Sequence, residues 1–314
     1  MKRSILTKLF VTLASLLVAF GATARKPVKA LIVTGQNNHN WQVSHVVIKD
    51  ILENSGLFSV DFAISPEKGQ DMSGFIVDFT PYKLVVLDYN GDNWPQETMT
   101  RFEDYAAKGG GIVVYHAADN SFPGWAAYNR ICALGGWEGR DENAGPYAYW
   151  YGGELVKDAS PGTGGSHGRR HEYMMNARDN EHPIIRELPN RWAHASDELY
   201  DRMRGPANVA SLLYTAYSDT ATGGSGREEP LMFTVEYGKA RIFHTMLGHC
   251  GPTYTDNAAM QCTGFQVTLL RGAEWAATGK VKQKVPADFP TSTFITYRHD
   301  YKDSRIVKKN AHKK

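Results

Sequence analysis

Four short apolar runs fall within the first 120 residues, and they constrain the fold more than any other feature of the chain. They are ALIVT (Ala30 to Thr34), FSVDFAIS (Phe58 to Ser65), KLVVLDYN (Lys83 to Asn90) and the IVVY of GGGIVVYHAADN (Gly109 to Asn120). Each reads as a strand bounded by turn chemistry. Between the first two, Val43, Val47, Ile51 and Leu52 fall on one face of a helix that Asn54-Ser55-Gly56 closes. Before the fourth, Pro95 stands where a helix begins, and QETMTRFEDYAAKGG carries it to a glycine stop. Strands alternating with helices favour parallel pairing. The expected fold is α/β, with an open, doubly wound, mostly parallel sheet.

Residues 121–170 break this rhythm. They are rich in Gly, Trp and Tyr, as in GPYAYWYGG and SPGTGGSHGRR, and read as a long aromatic-rich insertion of loops and short elements. Its aromatics form either a satellite core or the wall of a binding site. Order resumes at HEYMMNA, from His171. DNEHPIIRELP (Asp179 to Pro189) reads as a turn and a short helix, and ANVASLLYTAYS as a strand. LMFTVEYGKARIFHTMLGH reads as two strands joined at Gly238-Lys239, and NAAMQCTGFQVTLLRGAEWAAT as a closing helix. The α/β domain is expected to span residues 25–297, with a loosely held charged tail over 298–314.

The N-terminus reads as an export signal over residues 1–24. Lys2, Arg3 and Lys8 precede an apolar run from Leu9 to Phe20, and Ala22-Thr23-Ala24 is a small-x-small cleavage site. The run is too short and too rich in Thr and Ser to span a membrane comfortably, so no stable membrane insertion is expected. Cleavage after Ala24 removes three of the 35 Lys and Arg and none of the 33 Asp and Glu, leaving 32 against 33. That balance suggests no nucleic-acid partner. The expected location is exported, periplasmic. Cys132, Cys250 and Cys262 form no C-x-x-C pair, which removes support for a zinc ribbon or a thioredoxin-like site. Cys250 and Cys262 are placed to bridge a loop, and an odd count leaves at least one thiol unpaired within the chain.

Ligands of an open α/β sheet bind beyond the carboxyl ends of its strands. After the first strand come Asn37, Asn38, His39, Asn40 and Trp41; after the third, Tyr89, Asn90 and Asp92; after the fourth, His116 and Asp119. The late returning strand ends at Gly248-His249, and His244, inside that strand, is expected to pack or bond locally. HASDELY (His194 to Tyr200) sets Asp197 beside Glu198. Neighbours on an extended chain point oppositely, so Glu198 is taken to face the site, with Asp197 as a cap. Amides beside Trp41 suit a sugar, which is bound by a flat aromatic face and hydrogen bonds. No G-x-G-x-x-G follows the first strand and there is no P-loop, so no nucleotide cofactor is expected. There is no H-E-x-x-H and no G-x-S-x-G. His167, His171 and His182 are spaced too loosely to name a metal site, but a mixed His/carboxylate site assembled in three dimensions stays open.

In order and completeness, LIVTGQNNHNW, GGGIVVYHAADNSF, DNEHPIIRELP, SDELY and GKARIFHTMLGH resemble the trehalose-utilisation (ThuA-like) family, from about Ala30 to Trp275. The resemblance implies a flavodoxin-like core similar to class I glutamine amidotransferases. In that fold the fourth strand tip carries a cysteine nucleophile on a tight turn. Here the tip reads His116-Ala117-Ala118, so amidotransferase chemistry is not expected. The resemblance also implies sugar catabolism, on glycosides or keto-glycosides, by acid/base cleavage through elimination or hydrolysis. A 3-keto group acidifies the neighbouring C–H, and an imidazole suits the proton transfer. His116 and His39 are the candidates for that transfer. Glu198 or Asp119 would orient an imidazole, and His249 would donate to an oxyanion or bind a metal. Asn38, Trp41, Asn90 and Tyr200 would contact the sugar. A divalent metal is the one cofactor left open. A non-catalytic carbohydrate-binding protein and a metal-dependent sugar hydrolase are the rival readings. N-terminal sequencing of the protein recovered from the periplasm of a Gram-negative host should begin at Arg25; a start at Met1 would remove the signal.

Overall fold

The computed structural model describes residues 26–251 and 257–298. The expected signal peptide and all but the first residue of the expected tail lie outside the described residues. In chain order the first part comprises β1 (Val28–Thr34), α1 (Trp41–Asn54), β2 (Phe58–Ile64), β3 (Leu84–Leu87), α2 (Gln96–Ala107) and β4 (Gly111–Tyr115). A 3-10 turn over His116–Asn120 and α3 (Ala126–Cys132) follow. The insertion contributes β5 (Tyr147–Tyr151), β6 (Glu154–Asp158) and β7 (Ser166–His167). The rest comprises β8 (His171–Ala177), β9 (Arg191–Asp197), β10 (Tyr200–Asp201), β11 (Val209–Tyr217), β12 (Glu228–Val235), β13 (Arg241–Thr245), α4 (Ala258–Gln261) and α5 (Thr263–Thr278).

The fold is α/β. Strands β2-β1-β3-β4-β13 are all parallel, in the strand order of a flavodoxin-like sheet. Every residue of β3 and β4 is buried, which is why those runs are continuously apolar rather than alternating. The sheet then continues antiparallel through β12-β11-β8-β9, with β5 on β12 and β6 on β5. The insertion therefore adds strands to the main sheet as well as loops. The smaller pair β7–β10 sets Tyr200 opposite His167.

Three local expectations change. No helix lies between β2 and β3; the chain crosses in turns and extended segments. The segment after Asp179 forms turns, with no helix. There the buried guanidinium of Arg271 on α5 donates to the carbonyls of Pro183, Ile184 and Arg186, at 3.1, 2.6 and 2.7 Å. Those oxygens serve α5 instead of a local helix. The closing helix is broken at Cys262, whose backbone is extended (φ −58°, ψ 122°) between α4 and α5. All three cysteines are buried and none is in a disulfide, so Cys250 and Cys262 form no bridge.

The insertion's aromatics divide. Phe122, Trp125 and Tyr128 are buried and pack with Tyr89, Trp94 and Phe102, which makes them core. Tyr147 lies against the guanidinium of buried Arg204, 3.8 Å from the ring centre. Arg204 also donates to the carbonyls of Gly145, Ser160 and Gly162, which ties the insertion together.

The glycines at the entry to β4 have separate tasks. Gly109, at φ +93°, follows α2 in a backbone conformation that side chains resist. At Gly111 a Cβ would stand 2.4 Å from the Ala276 carbonyl oxygen and 2.7 Å from that of Lys83. Both are backbone atoms, so no rotamer change relieves the clash. Gly111→Ala should destabilise the fold by about 2–3 kcal/mol in urea unfolding. Gly124→Ala, which meets nothing within 4 Å, should shift it by under about 0.5 kcal/mol.

Candidate functional site

The carboxyl ends of β1, β3, β4 and β13 meet the ends of β7 and β9 at one rim. β4 delivers His116 at φ +46°, a positive value that β4's extended run into a 3-10 turn imposes. Such conformations persist only where the surroundings hold them. Three contacts do so here. His116 Nδ1 lies 2.7 Å from the Met246 carbonyl, Tyr200 stacks on the ring at 4.6 Å, and the Tyr200 hydroxyl is 3.2 Å from Nε2. Arg140 fixes the turn beyond it by donating to the carbonyls of Asn120 and Ser121.

Asp197 joins the two halves of the rim. Its Oδ2 accepts from His194 Nε2–H at 2.8 Å and from the Gly248 N–H at 2.8 Å. Its Oδ1 accepts from the N–H groups of Glu198 at 2.8 Å and His249 at 3.0 Å. Burial raises a carboxyl pKa, but these donors and the neighbouring His194 outweigh it and hold Asp197 down at about 2. The predicted cap is thus a buried clamp between β9 and the exit of β13.

Glu198, the next residue, turns the other way and gathers four imidazoles. Its Oε2 is 3.4 Å from His39 Nε2 and 3.6 Å from His116 Nε2. Its Oε1 is 3.3 Å from His249 Nε2 and 3.9 Å from His167 Nε2. The rings of His39 and His116 are 4.6 Å apart, and those of His39 and His249 4.9 Å. Burial pushes Glu198 up, yet His116, His249 and His167 bring it down to about 2, so it stays a carboxylate. Burial, then the charges of His116 and His249, push His39 down to about 3. His116 is also pushed down by burial, but Glu198 pulls harder and its pKa ends above the ordinary value. His249 is lowered, chiefly by burial.

The two sides of Glu198 differ in access. His116 is 2% exposed and His39 9%, whereas His167 is 35% exposed. A cleft of about 690 Å³ lies around Asn38, the residue before His39, lined by Asn37, Trp41, Asn90, Phe122 and Glu138 among others; neither Glu198 nor its four imidazoles line it. Asn90 Nδ2 donates to Asn38 Oδ1 at 2.9 Å, so the two amides are already oriented.

The rim thus brings together His39, His116, Glu198 and His249, with Asn38, Trp41 and Asn90 in the adjoining cleft. Two expected residues sit elsewhere. Asp119 is fully buried and its Oδ2 faces His244 Nε2 at 3.1 Å, so it orients His244 rather than a rim imidazole. Tyr200 is 1% exposed and packs beneath His116, so it supports the imidazole instead of meeting a sugar. His244 bonds locally, to Asp119 and to the Cys132 carbonyl at 2.8 Å. Three residues outside the expected set matter. His167 reaches Glu198 from the insertion, and its signal was one histidine in a glycine-rich loop. Arg170 Nη1 is 3.2 Å from His249 Nδ1. Asp88, the residue before Tyr89, is fully buried beneath the β1 loop and accepts from Ser44 Oγ at 2.6 Å and from Thr34 and Asn37 at 3.4 Å.

A family model described as trehalose utilisation, ThuA, matches residues 29–276. The chain belongs to the ThuA family. The crystal structure of a ThuA-like protein from Parabacteroides merdae is 71% identical, with a TM-score of 0.87 over 89% of this chain and 100% of that one. A ThuA-like protein from Bacteroides uniformis is 17% identical, with a TM-score of 0.51 over 84% and 97%, a likeness of fold. No curated protein matches the sequence significantly. Within this ThuA-family chain the turn at His116 carries an imidazole, and all three cysteines are buried.

Asp88 gives a pH test of the site's foundation. Burial raises its pKa to about 7 against the hydroxyl and amide donors that lower it. A carboxyl whose folded pKa is raised loses stability as pH rises from its unfolded value near 4 to the folded one near 7. Asp88→Asn should therefore be more stable than the parent at pH 8, by roughly 2–4 kcal/mol, and lose that advantage near pH 4. Urea unfolding at the two pH values measures it; an equal effect at both would contradict the assignment.

Proposed function

We propose that this ThuA-family chain is an exported enzyme of sugar catabolism that cleaves glycosides or keto-glycosides by proton transfer at the histidine rim. The observation that carries the reading is the pairing of His167 and His249 on one oxygen of Glu198, on a rim whose His39 follows Asn38 of the Asn38, Trp41 and Asn90 cleft in the chain. Their other ring nitrogens have opposite partners. His167 Nδ1 faces the Gly168 carbonyl at 2.7 Å and donates to it, so in the neutral ring the lone pair is on Nε2. His249 Nδ1 faces the Arg170 guanidinium, which only donates, so its proton sits on Nε2. One imidazole is set to accept a proton and the other to give a hydrogen bond.

Proton transfer thereby moves from His39 and His116, as expected from the sequence, to His167 and His249. His39, with a pKa of about 3, is a poor base, and His116 is enclosed by Met246 and Tyr200. On a 3-keto-glycoside, His167 Nε2 removes the proton from the carbon between the carbonyl and the anomeric carbon. The electron pair moves onto the carbonyl oxygen, which His249 Nε2–H stabilises. It then returns to form the carbon–carbon double bond as the anomeric C–O bond breaks. The proton held by His167 passes to the departing oxygen, so the imidazole ends as it began. Neutral imidazole is a competent donor to such an oxyanion. Asn38 and Asn90 bind hydroxyls and Trp41 offers a ring face.

Incubation with a panel of glycosides and their 3-keto forms, followed by product identification, tests the reading. His167→Ala and His249→Ala should each lower turnover by about 10²–10⁴-fold. Affinity for sugars with no product formed, unchanged in both variants, would make the protein a carbohydrate-binding protein instead.

A further inference from the structure

The geometry points to a divalent-cation site on the inner side of Glu198, made by His39, His116 and one Glu198 oxygen. The three offer one ligand atom each in a single cluster, and Glu198 Oε2 lies 3.4 Å from His39 Nε2 and 3.6 Å from His116 Nε2, close to the edge of about 3.3 Å that a tetrahedral ion with bonds near 2 Å requires. His39 supplies the independent sign. Both of its ring nitrogens are buried and neither has a hydrogen-bond partner. A buried imidazole is normally satisfied at one nitrogen at least, and its 3.4 Å approach to Glu198 Oε2 lacks hydrogen-bond geometry. A cation between the two groups satisfies both.

His116 is prepared in the same sense. Its Nδ1 is committed to the Met246 carbonyl, which directs Nε2 at Glu198. A backbone carbonyl on the far nitrogen is the usual support of a ligating imidazole. The Tyr200 hydroxyl, 3.2 Å from that Nε2, has Asn120 as a second partner to keep when the nitrogen turns to an ion. Glu198 is itself held by its backbone N–H on Asp197. Two imidazoles and one carboxylate, with coordination positions left open, suit a first-row transition cation such as zinc rather than magnesium or calcium.

The site deepens the reading above and rests on it for its use. An oxyanion forming beside the Glu198 carboxylate is repelled by it, and a cation held on Oε2 offsets that negative charge. His167 and His249 stay on the other oxygen, free for proton transfer and hydrogen bonding.

The test is made on tag-free, chelator-stripped protein by equilibrium dialysis against Zn²⁺ and by absorption after adding Co²⁺. One equivalent should bind per chain, Co²⁺ should give a visible ligand-field band, and Mg²⁺ should not compete. His39→Ala, His39→Gln and Glu198→Gln should each weaken binding at least about 100-fold, beyond the effect of losing an outer-shell partner. His182→Ala, against Trp275 and outside the rim, should not. Circular dichroism confirms that each variant is folded. Less than a tenth of an equivalent on the parent, or binding unchanged in folded His39→Ala and His39→Gln, overturns the site. Turnover of a keto-glycoside by cation-free protein overturns the site's part in the reaction and spares the functional reading. One bound equivalent lost with His39, but no product from any sugar, does the reverse.

Discussion

The buried Asp197 carboxylate is the contact on which the rim depends. It receives four donors from two parts of the chain, the His194 imidazole and the Glu198 N–H at the end of β9 and the N–H groups of Gly248 and His249 past the exit of β13. Glu198 and His249 are therefore placed by the same carboxylate through their backbones, not through their own side chains. A buried charge with every oxygen occupied is rigid, because any movement leaves a donor or an acceptor unsatisfied. The precision of the imidazole cluster follows from that anchor, and the cluster in turn holds Glu198 ionised.

Fold and site were not equally legible. The parallel half could be read because strands buried on both faces have to be continuously apolar, and ALIVT, LVVL and IVVY are. The rule that ligands gather at carboxyl ends then selected His39, His116 and His249 with no knowledge of their contacts. Glu198 over Asp197 followed from the alternation of an extended chain. The failures share one cause. Asp119 is three residues past His116, but the 3-10 turn aims it inward at His244, more than a hundred positions away in sequence. Tyr200 and His167 are partners in a two-residue strand pair, too short to leave a periodic signal. The turns after Asp179 depend on Arg271, whose long-range claim on their carbonyls local sequence cannot announce.

The His116 corner shows how one scaffold is reused. The turn keeps a positive φ without glycine, and its surroundings supply the restraint: the Met246 carbonyl, the Tyr200 ring and the buried Arg140. A backbone of this shape projects one side chain from the sheet whatever its chemistry. The residue at its apex therefore decides what kind of site the sheet carries, and the residues around it decide the protonation state.

The position of β13 has a consequence for how the chain reaches this state. It lies between β4 and β12, so the middle of the finished sheet is encoded near the end of the sequence. Until Arg241–Thr245 is in place, β4 has an open, wholly apolar edge, and the antiparallel strands have nothing to join. Pairings of such long sequence separation form slowly and leave sticky edges exposed meanwhile. A growing chain meets this hazard from the synthesis of β4 until that of β13. The last strand to be made among the described residues is the one that turns two partial sheets into one.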